Sequence, residues 1–188
     1  MAGDTRHSMV VGAARLLAEK GLQETSFSEV LKLTGAPRGS IYHHFPDGKD
    51  QLVAEAVDLA GAHAVSLLDR AIGRSPGGIA EDFLAMWRLI LSASDFGAGC
   101  SVVAVTVATD SPSLRDRAAE VFRTWRGRLA ELLVDAGVEP AAAAGFAALL
   151  IAASEGAVVV CRADRTLEPF DSVAAQLIAQ AEALPTGR

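Results

Sequence analysis

The sequence has 188 residues, 51% of them hydrophobic and 5% aromatic, and a net charge of −6 at pH 7. This length suits one domain or a small domain followed by a larger helical one, and the many Ala, Leu and Val residues favour helices. The acidic balance excludes a uniformly basic nucleic-acid-binding protein, and the lack of an uninterrupted apolar run of about 18 residues predicts no membrane span.

Two helices are predicted in the first 35 residues. The first ends at Lys20 and Gly21, where a cation in the last turn precedes a residue that tolerates a positive φ. The second begins at a capping box formed by Ser26 and Glu29, in which each side chain satisfies a backbone N–H of the first turn. Gly35 ends this second helix.

The third predicted helix covers residues 37–44 and is short. Pro37 suits its first turn, where a missing N–H costs nothing, and the FPDG sequence ends it. Ile41 and Phe45 are four residues apart and should face inward together, which leaves polar and aromatic side chains pointing outward. The second and third helices, joined by LTGAP, therefore predict a helix-turn-helix, whose second helix enters the major groove of DNA.

The rest of the chain is also predicted to be helical. A fourth helix runs from about residue 48 to 72 and ends at the candidate boundary GRSPGG, residues 73–78. The β-branched residues at 100–110 would suit a strand, but no partner strand is visible, so a short buried helix is predicted there. The other predicted helices cover residues 79–94, 111–137, 139–163 and 168–185.

The charge distribution points any anionic partner to the N-terminal part. Residues 1–52 contain six Lys/Arg and six Asp/Glu, so the net charge of −6 lies in the remainder. Arg38 can pair with phosphate or guanine, and Gly39 permits close approach of the backbone. The candidate DNA-binding residues are Thr25, Ser26, Ala36, Pro37, Arg38, Gly39, Ser40, Tyr42, His43, His44 and Lys49.

Other kinds of site fit these residues less well. Adjacent residues on a helix point about 100° apart, so His43 and His44 do not easily hold one metal ion. An acid–base enzyme would need a pocket with a paired carboxylate, and no nucleophile–base pair is visible. We therefore expect no metal, no cofactor and no enzyme activity. Cys100 and Cys161 are expected to be small buried hydrophobes.

Two stretches of the N-terminal sequence resemble a known protein family. TGAPRGSIYHHFPDGKDQL resembles the recognition-helix signature of the TetR family of bacterial repressors, and AARLLAEKGLQETSFSEVLKLTG resembles the helices that precede it. The resemblance covers roughly residues 5 to 60. Common members have F-P-x-K after the aromatic residue, whereas this chain has one residue more, and that insertion with Gly99-Cys100 resembles the LmrA/YxaF branch. Ser101 stands where branch members usually have Pro.

The resemblance implies an all-α homodimeric repressor. Its helix-turn-helix domain would cover residues 1–52 and bind a palindromic DNA operator, and a helical ligand-binding and dimerisation domain would cover residues 53–188. A small lipophilic or aromatic inducer would release the DNA. The residues expected to line the inducer cavity are Phe83, Met86, Trp87, Cys100, Phe122, Trp125 and Glu155. The alternative for the aromatic residues is ordinary core packing.

Residues 141–161 are predicted to form a helix that is apolar on every face. Such a helix must be buried on all sides. A symmetric dimer formed by this helix and the last one satisfies that demand, and a buried central helix of a monomer is the alternative. MAGDTRHSMV lacks the features of a signal peptide, so a cytoplasmic protein that does not enter the membrane is expected. Two rival functions stay open: a helix-turn-helix protein without an inducer, and a small helical ligand carrier.

Overall fold

The computed structural model describes residues 2–187, and within them it is all-helical, as predicted: 81% of the chain is helix and no strand is formed. A short 3-10 helix, Asp69–Ala71, follows the fourth α-helix. The α-helices are α1 (Ala2–Glu24), α2 (Phe27–Thr34), α3 (Arg38–His44), α4 (Lys49–Leu68), α5 (Pro76–Ala93), α6 (Ser101–Ala108), α7 (Pro112–Asp135), α8 (Pro140–Asp164) and α9 (Glu168–Glu182).

The chain divides into two compact units. The first unit contains the described residues up to Ala62 together with Cys100–Phe122, and the second contains His63–Gly99 together with the described residues from Arg123 onwards. The division falls inside α4 and inside α7. These are units of packing, and the functional boundary between residues 52 and 53 stays a prediction.

The first unit is built around α1, which packs against α2 and α6. Gly12 allows a close approach to α2, since a Cβ at this position would lie 2.7 Å from Cγ2 of Thr34. The predicted end of α1 at Gly21 is a kink instead: Gly21 has φ 81 and ψ 178, and the helix continues to Glu24. Thr25 Oγ1 donates to the Gly21 carbonyl oxygen at 2.8 Å, so the last turn is stabilised from outside the helix.

The second unit packs α5 and α8 against α9. The side chain of Ser75 caps α5 by accepting from Gly78 N at 3.2 Å, and its hydroxyl donates to Glu182 of α9 at 3.0 Å. A side chain at Gly77 would collide with Glu182. The glycine therefore leaves room for the Glu182 side chain in its present position between α5 and α9.

Helix α8 has one buried face and one open face. Phe146 and Leu150 are buried, whereas Leu149, Val159 and Val160 are 40%, 59% and 45% exposed. The exposed residues recur at helical spacing and form one apolar stripe. We call this stripe the α8 open face, and its members are Gly145, Ala148, Leu149, Ala152, Gly156, Val159 and Val160. The expectation that this helix is buried on all sides is therefore not met within a single chain.

Among the described residues, two helical segments have the length and composition of a membrane span, Lys49–Ala71 and Pro140–Asp164. Their most apolar windows are 39% and 44% buried inside the structure. Core helices of globular proteins have the same properties, and both segments contribute buried residues to a protein core. The two cysteines, Cys100 and Cys161, form no disulfide and are buried, as predicted, and burial raises the pKa of the Cys161 thiol.

Candidate nucleic-acid interface

Helix α2 is held by its two caps. Ser26 Oγ accepts from Glu29 N at 3.2 Å, which is half of the predicted capping box. The other half is not formed, because Ser26 N donates to the Glu24 carbonyl and the Glu29 carboxylate accepts from Lys20 Nζ at 3.1 Å. That hydrogen bond lowers the pKa of Glu29. Gly35 ends the helix with φ 68, as predicted.

Helix α3, the candidate recognition helix, is anchored by two apolar side chains. Ile41 and Phe45 are both 0% exposed, as their spacing predicts. Pro37 lies one position earlier than expected: it is the N-cap, with φ −62 and ψ 139, and the helix begins at Arg38. The extended ψ of the proline explains the shift, because it lies outside the α region.

The outward side of α3 presents polar and aromatic groups to solvent. Tyr42 is 69% exposed, and Arg38, Gly39 and His43 are also exposed. Within residues 5–187, whose side chains the structure describes, Arg38 forms no ion pair and no side-chain hydrogen bond, so its guanidinium is available to another molecule. The seven residues of the helix include no acidic side chain. This face can therefore approach a polyanion without repulsion from its own carboxylates.

Phe27 is a site residue that the sequence analysis missed. Its ring contacts the Tyr42 ring edge to face, with 5.6 Å between centroids and 86° between planes. Phe27 is the first residue of α2, so the contact fixes the tyrosine of one helix against the start of another. The SFSE sequence predicts a helix cap but no partner for Tyr42. The signal that could have identified Phe27 is an aromatic residue directly after the N-cap.

Some predicted DNA-binding groups are already used within the first unit. Thr25 is 1% exposed and its hydroxyl donates to Gly21, so a phosphate contact would first have to break that bond. Lys49 Nζ donates to the Leu22 carbonyl at 2.8 Å, and Ser40 Oγ donates to the Pro37 carbonyl at 2.6 Å. Ser26, Ala36 and His44 are half-buried.

The predicted ligand-binding residues are divided between the two units. Cys100 and Phe122 belong to the first unit; the second contains Phe83, Met86, Trp87, Trp125 and Glu155. In the second unit, Phe83 and Met86 lie together at a cavity of about 10 Å³, which they share with residues of the α4 end and Asp82. A cavity of this size holds about one water molecule.

Trp87 has an unusual environment among these residues. It is 3% exposed, and its indole Nε1 has no hydrogen-bond partner among the described residues. A buried N–H without an acceptor costs about 1–3 kcal/mol, so most such groups in folded proteins are paired. An acceptor atom supplied by another molecule would remove that cost.

Comparison with known proteins finds a matching family for the N-terminal part and for the C-terminal part of the chain. Residues 10–56 match the model of the tetR family of bacterial regulatory proteins, and residues 76–176 match the C-terminal domain of LmrA/YxaF-like transcriptional regulators. Both matches confirm the resemblance drawn from the sequence. They also exclude the interpretation of the N-terminal motif as a coincidence in a carrier protein.

Whole-chain relatives agree with these matches. An HTH-type transcriptional regulator of Mycobacterium tuberculosis, Rv0196, is 38% identical over 179 residues, which cover 92% of this chain and 91% of the relative. YxaF of Bacillus subtilis is 28% identical over 93% of this chain and 94% of its own. The fold is also that of a TetR regulatory protein from Rhodobacter sphaeroides, with a TM-score of 0.81, 22% identity, and coverage of 92% and 96%.

Proposed function

Because the chain belongs to the TetR family of transcriptional regulators, in the branch with an LmrA/YxaF-like C-terminal domain, we propose that it is a ligand-responsive repressor. It binds a palindromic operator as a homodimer and is released by a small lipophilic or aromatic inducer. The observation that carries the DNA-binding part is the exposed, acid-free face of α3, which presents Arg38, Tyr42 and His43 beside an anchored core. It acts in the cytoplasm and has no catalytic role.

The α8 open face supports the homodimer. Apolar stripes of this kind are rarely left in water. Gly145 and Gly156 face open space within the single chain, since a Cβ at either position would meet nothing within 4 Å, and without side chains they leave room for a second helix. A two-fold axis through this face makes the contact self-complementary. Two recognition helices related by the same axis would bind two half-sites of a palindrome.

Trp87 supports the inducer. Its unpaired indole N–H, in a helix whose Phe83 and Met86 line a cavity, suits a ligand that is mostly apolar and carries one hydrogen-bond acceptor. Since that cavity is only about 10 Å³, binding has to select a more open conformation. The ligand then releases DNA to the extent that it prefers this conformation over the DNA-binding one.

The same small cavity favours one alternative, a helix-turn-helix regulator that has no inducer. A thermal-shift screen with lipophilic compounds separates the two proposals. A true ligand raises the melting temperature in proportion to the logarithm of its concentration above Kd. A chain with no inducer gives no such concentration-dependent shift.

We expect selection from a random duplex library to enrich an inverted repeat. Two symmetry-related recognition helices contact successive major grooves about 34–36 Å apart, so the half-sites should be centred one helical turn apart or a multiple of it. The measurement is sequencing of the enriched DNA after several rounds at moderate salt. Enrichment of a single asymmetric site, or of no sequence, would contradict the proposal of a palindromic operator.

Replacing Trp87 with Phe should weaken the response to inducer while operator affinity stays within about twofold. This variant keeps most of the apolar volume, whereas Trp87→Ala would remove about 3–5 kcal/mol of core packing and confuse folding with function. The test is a thermal shift with each active compound, run on both proteins. A ligand response that stays unchanged in a folded Trp87→Phe variant would sink the assignment, whereas equal loss of ligand response and DNA binding would show a folding defect.

A further inference from the structure

The C-terminal end of the recognition helix is contacted by an arginine from the start of the chain. Phe45 is the C-cap of α3 and is 0% exposed. The guanidinium carbon of Arg6, in α1, lies 5.3 Å from the centroid of the Phe45 ring. This distance is within the range of a cation–π contact. The side chain that anchors α3 therefore packs beneath a charged group of α1.

Arg6 is itself fixed by a carboxylate of a third helix. Its Nη2 lies 2.6 Å from Oε1 of Glu55 in α4, and the two side chains are 42% and 25% exposed. Partly exposed ion pairs of this kind contribute little to global stability. Their effect lies in geometry, because the pair joins residues 49 positions apart in sequence and holds α1 against α4.

Hydrogen bonds also connect the Glu55 carboxylate to the turn that follows α3. Gln51 Nε2 donates to Glu55 Oε1 at 3.4 Å, and Gln51 Oε1 accepts from Asp47 N at 3.2 Å. Arg6, Glu55, Gln51 and the Asp47 backbone thus form one chain of polar contacts from α1 through α4 to the turn. These contacts therefore hold both Phe45, the C-cap of the recognition helix, and the turn beyond it.

Helix α3 depends on such external contacts. It has seven residues and no side-chain hydrogen bond at its N-cap. A helix of under two turns has no stability of its own, so its neighbours determine where it lies. DNA recognition requires donors and acceptors to meet base edges with hydrogen-bond geometry, and small displacements of the helix are costly.

We propose that Arg6 and Glu55 are positioning residues for sequence-specific DNA binding: the pair sets where α3 lies and does not itself contact DNA. This role makes an unusual prediction about Glu55. On electrostatic grounds alone, removal of a carboxylate from a DNA-binding unit should strengthen binding. If the pair positions α3, removal of the same carboxylate weakens specific binding.

The test compares Arg6→Gln and Glu55→Gln with the unaltered protein. Kd is measured across a KCl series for two probes, the duplex enriched by selection and a random-sequence duplex of equal length. We expect both variants to lose about tenfold in affinity for the selected duplex, equivalent to about 1.4 kcal/mol. Glu55→Gln should leave binding to the random duplex unchanged or slightly tighter, and the salt dependence should keep its slope.

Glu19→Gln is the matched control. It removes a carboxylate that pairs with Arg15 at 2.7 Å, but both residues belong to α1, so the pair joins no two helices. The ratio of specific to random affinity should not change in this variant. The charge-exchanged double variant Arg6→Glu with Glu55→Arg should recover part of the specific affinity, and Glu55→Asp replaces Glu55→Gln if thermal unfolding shows that the latter is not folded.

Two results would overturn the proposal. The first is that Arg6→Gln weakens both probes equally and lowers the slope of log Kd against log salt by about one phosphate contact, which would make Arg6 a direct DNA contact. The second is that Glu55→Gln binds the selected duplex more tightly. The inference rests only on the proposed DNA binding by the helix-turn-helix. It still holds if the protein has no inducer or if its operator is not a palindrome.

Discussion

Tyr42→Ala should lower affinity for the selected operator by about ten- to hundredfold, the range expected when a protein loses one contact worth about 1–3 kcal/mol. Tyr42 is 69% exposed, so its removal takes little from the core, while Phe27 holds the ring in place for a partner. Arg38→Ala should cause a loss of similar size. The measurement is fluorescence anisotropy with the selected duplex at moderate salt.

The salt dependence separates the two kinds of contact that Arg38 can make. Loss of a phosphate contact weakens all duplexes alike and reduces the salt slope by about one, whereas loss of a guanine contact relaxes the preference at one base pair. Arg126→Ala is the control, because this exposed arginine lies in the second unit on α7. If neither Tyr42→Ala nor Arg38→Ala changed operator affinity, α3 would not be the recognition helix.

Val159→Glu should convert a dimer into a monomer at micromolar concentration. Val159 is 59% exposed on the α8 open face, so a glutamate there is harmless to a single chain. In a symmetric interface it would bury two like charges near the two-fold axis, at a cost of several kcal/mol. Operator affinity should fall about a hundredfold or more, because each half-site is then bound separately.

Sedimentation velocity over a concentration series measures the first effect, and thermal unfolding checks that the variant is folded. The matched control is Leu89→Glu, which places the same charge at an apolar residue of α5 that is 69% exposed. It should leave the dimer intact. A dimer that survives Val159→Glu and dissociates with Leu89→Glu would move the interface from α8 to α5.

Local signals predicted the helix-turn-helix well, because caps and breakers act through neighbouring residues. Ser26 starts α2 and Gly35 ends it in the left-handed conformation, as the sequence indicates. Local signals do not predict the hydrogen-bond or ion-pair partner of an individual polar side chain. Lys49 donates to Leu22, 27 positions away, and Arg6 pairs with Glu55, 49 positions away, and no local pattern encodes either contact.

The ligand-binding residues show a second limit. Periodicity identifies the buried face of a helix, but it does not say which helices share a core. Cys100 and Phe122 belong to segments that pack with the first unit, although they lie between stretches of the second unit in sequence. The sequence marks Trp87 only as an aromatic residue in a hydrophobic segment, and its unpaired indole N–H is visible only in the three-dimensional structure.

Gly48 has a consequence for the junction between α3 and α4. Its φ of 88 is strained for any residue with a side chain, so the extra residue of the FPDG turn is tolerated there as a glycine. Gly48 N donates to the Phe45 carbonyl at 3.1 Å, and Asp47 N in the same turn donates to Gln51 Oε1 of α4 at 3.2 Å. A turn shorter by one residue would have to join Phe45 to Lys49 along a different backbone path, and both hydrogen bonds would have to form again. The length of this turn is therefore coupled to the polar contacts that lead from Gln51 through Glu55 to Arg6.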